Sequence, residues 1–174
     1  SPRFVILLHP RENKKRIGTG RLTHLCLENS LLWVGMDFTG DGRVARLLAD
    51  ETLFPVVLYP GAGALDLSDD AGTATLRAQV PAGKELIVIL VDGTWYWAKK
   101  MLLANPWLGT LPQIKFTPPH LSQYRIRRQP RAHCYSTVEA VHFILSRLGE
   151  GRAHENLLEV FGSMVEQQAG FTPE

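Results

Sequence analysis

Six apolar residues, Leu86 to Val91, follow Glu85 without a polar break. A strand with one wet face alternates, and this run does not. It therefore predicts a strand buried on both faces, as in a parallel sheet covered by helices. The run ends in Asp92-Gly93-Thr94-Trp95, after which Ala98, Met101 and Leu102 recur at helical spacing. In open α/β sheets ligands bind just beyond the carboxyl ends of strands, so a carboxylate there is placed for function. Asp92 could equally serve as the cap of the helix that follows. Position alone divides evenly between the two readings.

The remaining segments agree with that strand. Residues 3–8, 31–34, 55–59 and 113–117 read as strands. Residues 19–29 read as a helix with Leu22, Leu25 and Cys26 on one face. Residues 43–49 read as a short helix, and Ala64 to Leu67 as the start of another. His9 to Gly18 reads as a basic loop, and Pro118-Pro119 opens a long one. Val138, Val141, Ile144, Leu145 and Leu148 predict an amphipathic helix over 137–148, and residues 153–168 a last helix. Alternating strands and helices predict an α/β fold with a mainly parallel sheet flanked by helices.

At 174 residues a single domain over 1–174 is expected, and 45% apolar residues supply a core. The longest apolar runs are too short to span a bilayer. The chain opens on Arg3-Phe4-Val5-Ile6-Leu7-Leu8, a strand and not a signal peptide, as expected if a preceding segment has been left off. Cys26 and Cys134 belong to no metal-spaced cluster, so no metal site is expected. Two buried thiols of a cytoplasmic protein are the reading.

The net charge of +2 hides an uneven distribution. From Gly93 to Val138 there is no Asp or Glu, but there are Lys99, Lys100, Lys115, Arg125, Arg127, Arg128 and Arg131. The first 21 residues hold Arg3, Arg11, Lys14, Lys15, Arg16 and Arg21 against Glu12 alone. Such clusters are often only a solvated face. Two of them beside candidate active-site loops point to a polyanion, and nucleic acid is the natural one. Arg11, Lys14, Lys15, Arg21, Lys99, Arg125, Arg127 and Arg128 are the candidate RNA contacts.

Ser136-Thr137-Val138-Glu139 is written as a capping box. The helix N-terminus it opens also suits an anion, so structure and binding both stand as roles. Leu58-Tyr59-Pro60 follows a strand as Asp92 does, either as an ordinary turn or as a wall of a nucleoside pocket. Trp95 and Trp97 fall on different faces of their helix, so one at most lines such a pocket. His9 and Glu12 form a second acid–base pair, with His9 expected to meet solvent or RNA.

Four segments in order carry a resemblance. They are His9-Pro10-Arg11-Glu12 with Thr19-Gly20-Arg21-Leu22, then Leu58-Tyr59-Pro60, then Asp92-Gly93-Thr94-Trp95 with Ala98, then Ser136-Thr137-Val138-Glu139-Ala140. Together they resemble the DTW-domain family. The resemblance implies a SPOUT-like fold with a C-terminal knot. It also implies S-adenosylmethionine as cofactor and tRNA as partner, with transfer of a 3-amino-3-carboxypropyl group to N3 of a uridine. Under it, Asp92 is the catalytic candidate. Leu58, Tyr59, Pro60, Asp92, Gly93, Thr94, Trp95, Ser136, Thr137 and Glu139 are the cofactor-binding candidates. A SPOUT-type RNA methyltransferase and an inactive RNA-binding module are the alternatives. Two features depart from the family pattern. Gly18 stands where Asn is usual, and the cysteine-rich segment that precedes many members is not in this sequence.

Overall fold

The computed structural model describes residues 1–15, 18–124, 135–149 and 155–169. Six strands make one sheet: β1 (Arg3–Leu8), β2 (Ser30–Val34), β3 (Leu53–Leu58), β4 (Leu65–Asp66), β5 (Glu85–Asp92) and β6 (Gln113–Lys115). Their order is β2-β1-β5-β3-β6-β4, and every pairing is parallel. The helices are α1 (Pro10–Asn13), α2 (Thr19–Cys26), α3 (Gly42–Ala49), α4 (Asp70–Gln79), α5 (Trp95–Ala104), α6 (Thr137–Arg147) and α7 (Glu155–Ala169). A 3₁₀ turn at Pro106–Thr110 follows α5.

The unbroken apolar run is explained by two cores, one on each face of the sheet. Successive strand side chains point to opposite faces. Phe4, Ile6, Val88 and Leu90 therefore pack with Val138, Val141, Ile144 and Phe161 on one side. Val5, Leu7, Ile87 and Ile89 pack with Val44, Leu47, Met101 and Leu108 on the other. Central strands with no wet face cannot alternate. Truncating Ile89, which is fully buried, to Ala would cost about 2–5 kcal/mol.

Four details differ from the sequence reading. Ala64 to Leu67 does not begin a helix. Leu65–Asp66 is the edge strand β4, and the helix α4 starts after Asp69, whose side chain accepts from the Gly72 amide. The segment DAGTATLRAQ carries one large apolar residue, Leu76, in the core, so its periodicity is faint. Second, α2 stops at Cys26. Leu22 and Cys26 join the core, but Leu25 is 75% exposed. Third, the basic loop after β1 contains the helical turn α1. Pro10 sits at its first position, and the His9 ring caps it by accepting from the Arg11 amide at 3.1 Å. Fourth, His9 is 5% exposed and so is shielded from solvent.

Asn105, just past the end of α5, is fully buried. Its Oδ1 accepts from the Phe38 amide at 2.7 Å, and its Nδ2 donates to the Met101 and Met36 carbonyls. These bonds tie the end of α5 to the loop after β2.

The topology chooses where a site can form. β1 and β5 are neighbours, with Leu8 opposite Asp92 at their carboxyl ends. The helix after β1 lies on one face, where Leu22 and Cys26 of α2 meet the core around Phe4. The helix after β5 lies on the other, where Met101 of α5 meets the core around Val5. Connections that leave adjacent parallel strands in opposite directions open a crevice between the strand ends. His9 and Asp92 stand at that point.

Candidate functional site

Asp92 is the last residue of β5 and is 5% exposed. It does not cap the following helix. Thr94 is the N-cap of α5, its side chain accepting from the Trp97 amide at 3.4 Å. The Asp92 carboxylate instead lies against the first turn of α2. A β-carbon at Gly20 would overlap its Oδ2. The Thr19, Gly20 and Arg21 amides of that turn precede the first intrahelical bond, from the Leu22 amide to the Gly18 carbonyl. A helix start of this kind carries partial positive charge and suits a carboxylate.

The His9 amide donates to the Asp92 carbonyl at 2.9 Å, which fixes the start of α1 on the end of β5. The His9 ring stacks on Trp97 with centroids 4.5 Å apart. Arg11 reaches over the same indole, its guanidinium carbon 4.6 Å from the ring centre. Burial, and then the Arg11 charge, hold the His9 pKa below its ordinary value, with Glu12 opposing. Because Nδ1 accepts from the Arg11 amide, a neutral ring carries its proton on Nε2. Gly93 lets these parts close up. A β-carbon there would lie 3.3 Å from the Ala98 nitrogen and 3.4 Å from the Trp97 β-carbon.

Leu58 ends β3, next to β5 in the sheet, so the Tyr59-Pro60 turn emerges beside Asp92's strand. The Tyr59 amide donates to the Ile114 carbonyl at 2.9 Å. Ser136 caps α6 in a complete capping box. The Glu139 carboxylate is a hub. It accepts from the Ser136 amide at 2.7 Å, from the Ser136 and Ser122 hydroxyls at 2.8 Å, and from the Gln123 amide at 2.7 Å. It thus clips the loop after β6 to the start of α6. Phe116, just past β6, meets Tyr135 at 5.9 Å and Phe143 at 4.2 Å. With Glu139 and Ser136 bonded to each other, the Thr137 and Val138 amides are the groups this turn has left for an anion.

The chain matches the family model of the DTW domain over residues 1–169. It belongs to the DTW-domain family. Curated relatives of the chain include a Drosophila melanogaster protein called tRNA-uridine aminocarboxypropyltransferase 2. It is 33% identical over 148 residues, which cover 80% of this chain and 53% of that protein. Proteins of the same name from Mus musculus and Macaca fascicularis are each 28% identical, over 91% and 85% of this chain. The chain spans about half the length of the curated relatives it matches. No solved structure matches it.

Of the basic candidates in this DTW chain, Arg11 covers Trp97 and Lys15 pairs with buried Glu12 at 2.7 Å. Arg21 donates to Asn13 Oδ1 at 2.7 Å, so α1 and α2 are joined at their exposed side. Lys14 and Lys99 are exposed. Arg125, Arg127 and Arg128 lie outside the described residues, as does Cys134. Cys26 is a half-buried free thiol whose pKa is pushed up by burial. Among the described residues no group of His, Cys, Asp or Glu could hold a metal, and no helix is long and apolar enough to cross a membrane. Two residues central to the site were not singled out by sequence reasoning. In the sequence Gly20 stands out only as part of a motif, and Trp97 only beside Trp95. A glycine inside a helix start was the available signal, since it weakens the helix unless something needs the space.

Proposed function

We propose that this chain carries the transfer site of an S-adenosylmethionine-dependent tRNA-uridine aminocarboxypropyltransferase, acting on uridine N3 in the cytoplasm. The observation that carries the reading is Asp92, buried at the β1–β5 switch point within a DTW-family motif, in a chain whose curated relatives bear that activity in their name. The single-domain SPOUT-like form with its knot belongs to the same proposal. The all-parallel sheet and the packing of α2, α6 and α7 together on one face support it.

The donor set fits the cofactor. Leu58, Tyr59 and Pro60 would wall one side of an adenosine, with Gly93, Thr94 and Trp95 on the other. The first amides of α6, at Thr137 and Val138, would take its carboxylate, with Ser136 and Glu139 holding that turn in shape. When bound, S-adenosylmethionine supplies an aminocarboxypropyl chain on a positive sulfur that is open to displacement. The protein's part is orientation, because attack must be in line with the departing sulfur. Uridine N3 must lose its proton as it attacks. Asp92 is the carboxylate placed to accept that proton or to hold the base while solvent does. Arg11, Lys14, Lys15, Arg21 and Lys99, with Arg125, Arg127 and Arg128 of the segment outside the described residues, would meet tRNA phosphates.

The test is mass analysis of tRNA nucleosides after incubation with the protein and S-adenosylmethionine. An aminocarboxypropyl-uridine is expected. A methylated nucleoside would instead assign a methyltransferase, and unchanged nucleosides with intact tRNA binding would assign a binding module.

A further inference from the structure

The first turn of α5 leaves large aromatic surface in water. Tyr96 is 60% exposed and Trp95 is 53% exposed, immediately beyond the buried Asp92. The Tyr96 ring is not adrift. It meets Trp97 edge-on, with centroids 4.8 Å apart, and the Lys100 ammonium lies 4.5 Å from its centre. Trp97 is in turn stacked on His9, whose amide is bonded to Asp92. A continuous ladder of rings therefore runs from the switch-point crevice out to the surface. The helix that carries Tyr96 and Trp97 holds no acidic residue, since no Asp or Glu occurs from Gly93 to Val138.

A positioned aromatic face beside a cation is how proteins hold unpaired nucleotides: the base stacks on the ring and the phosphate meets the cation. The proposed reaction needs such nucleotides. Uridine N3 lies on the edge used for base pairing, so the target must be presented unpaired, and its neighbours in the strand are then free to stack. Resting on the function proposed above, we infer that Tyr96 is a stacking platform for an unpaired nucleobase flanking the target uridine, with Lys100 at the adjoining phosphate.

The experiment compares tRNA binding by the parent, Tyr96→Ala, Tyr96→Phe and Lys100→Gln over a range of salt, with S-adenosylmethionine affinity measured by calorimetry. Tyr96→Ala should weaken tRNA binding roughly tenfold, within the range found for loss of one stacked base, while the salt slope stays that of the parent. Tyr96→Phe should bind as the parent does, because the ring is kept. Lys100→Gln should reduce the salt slope by about one, as expected for one lost phosphate contact. Cofactor affinity should be unchanged in all three. A Tyr96→Ala protein that binds tRNA as tightly as a parent that modifies it would overturn the platform and leave the function standing. Loss of self-association in Tyr96→Ala, at unchanged tRNA affinity, would overturn it in favour of a protein contact. A parent that neither binds nor modifies tRNA would overturn the function and the platform with it.

Discussion

The Asp92 carboxylate rests on Gly20, so close that a β-carbon at position 20 would occupy the place of Oδ2. Residues 72 positions apart in sequence are thus fitted to one another at the junction of β5 and α2. The contact makes opposite demands on a helix. Gly20 costs α2 stability relative to Ala, and the missing methyl is what lets the carboxylate sit at the helix start.

Gly20→Ala should therefore destabilise the protein, by about 1–3 kcal/mol from overpacking, although the same change elsewhere in a helix stabilises. Gly162→Ala in α7, where a β-carbon meets nothing within 4 Å, is the matched control and should stabilise. Urea unfolding of both variants decides the matter. A Gly20→Ala protein as stable as the control would mean that Asp92 swings away at little cost.

Asp92→Asn keeps the size of the side chain and removes its charge. Transfer to tRNA should be lost, with the fold and calorimetric S-adenosylmethionine affinity close to the parent. Near-normal turnover would leave Asp92 a structural residue at the start of α2.

His9 predicts a pH dependence of stability. Its native pKa lies below 6.5, chiefly through burial, so in the window between the two values the unfolded chain binds a proton that the native state does not. The His9 contribution is complete above about pH 6.5 and is lost as pH falls through the lower native value. His9→Asn retains a capping acceptor but cannot titrate. Unfolding free energies at pH 7.5 and pH 5 should differ less in the variant than in the parent. An equal difference would show that His9 is not the group responsible.

Glu139→Gln tests whether the capping-box carboxylate is structural. The carboxylate accepts from four protein donors, and an amide in its place must turn an NH₂ group toward one of them. The expected cost is about 1–3 kcal/mol, the range for leaving one buried donor unmet. Ser136→Ala should cost about 1 kcal/mol as an ordinary cap loss. If Glu139→Gln is as stable as the parent and loses only cofactor affinity, Glu139 is a ligand contact and not the clip of this loop.

Much of the fold was legible because its cause is local. Leu86 to Val91 announces a strand covered on both faces, and Val138, Val141, Ile144 and Leu145 announce a helix with one buried stripe. The capping box at Ser136 is likewise written in four consecutive residues. The DTW family was legible from four short motifs in order, a pattern of text more than of physics. β4 and α4 were missed because two residues on a sheet edge and a helix with one large core residue leave no periodic trace. Leu25 falls at helical spacing with Leu22, yet whether it meets protein depends on where α6 and α7 lie.

For the site, the sequence by itself supplied the carboxylate and its place at a strand end. It left open whether Asp92 caps α5. Tertiary structure decided that, by giving the cap to Thr94 and setting Asp92 against Gly20 of α2. It also decided that the His9 ring is buried on Trp97 instead of meeting solvent. The physical reason is the same in each case. Propensity and periodicity act over a few residues, but a switch point exists only once β1 and β5, remote in sequence, have paired and sent their helices to opposite faces.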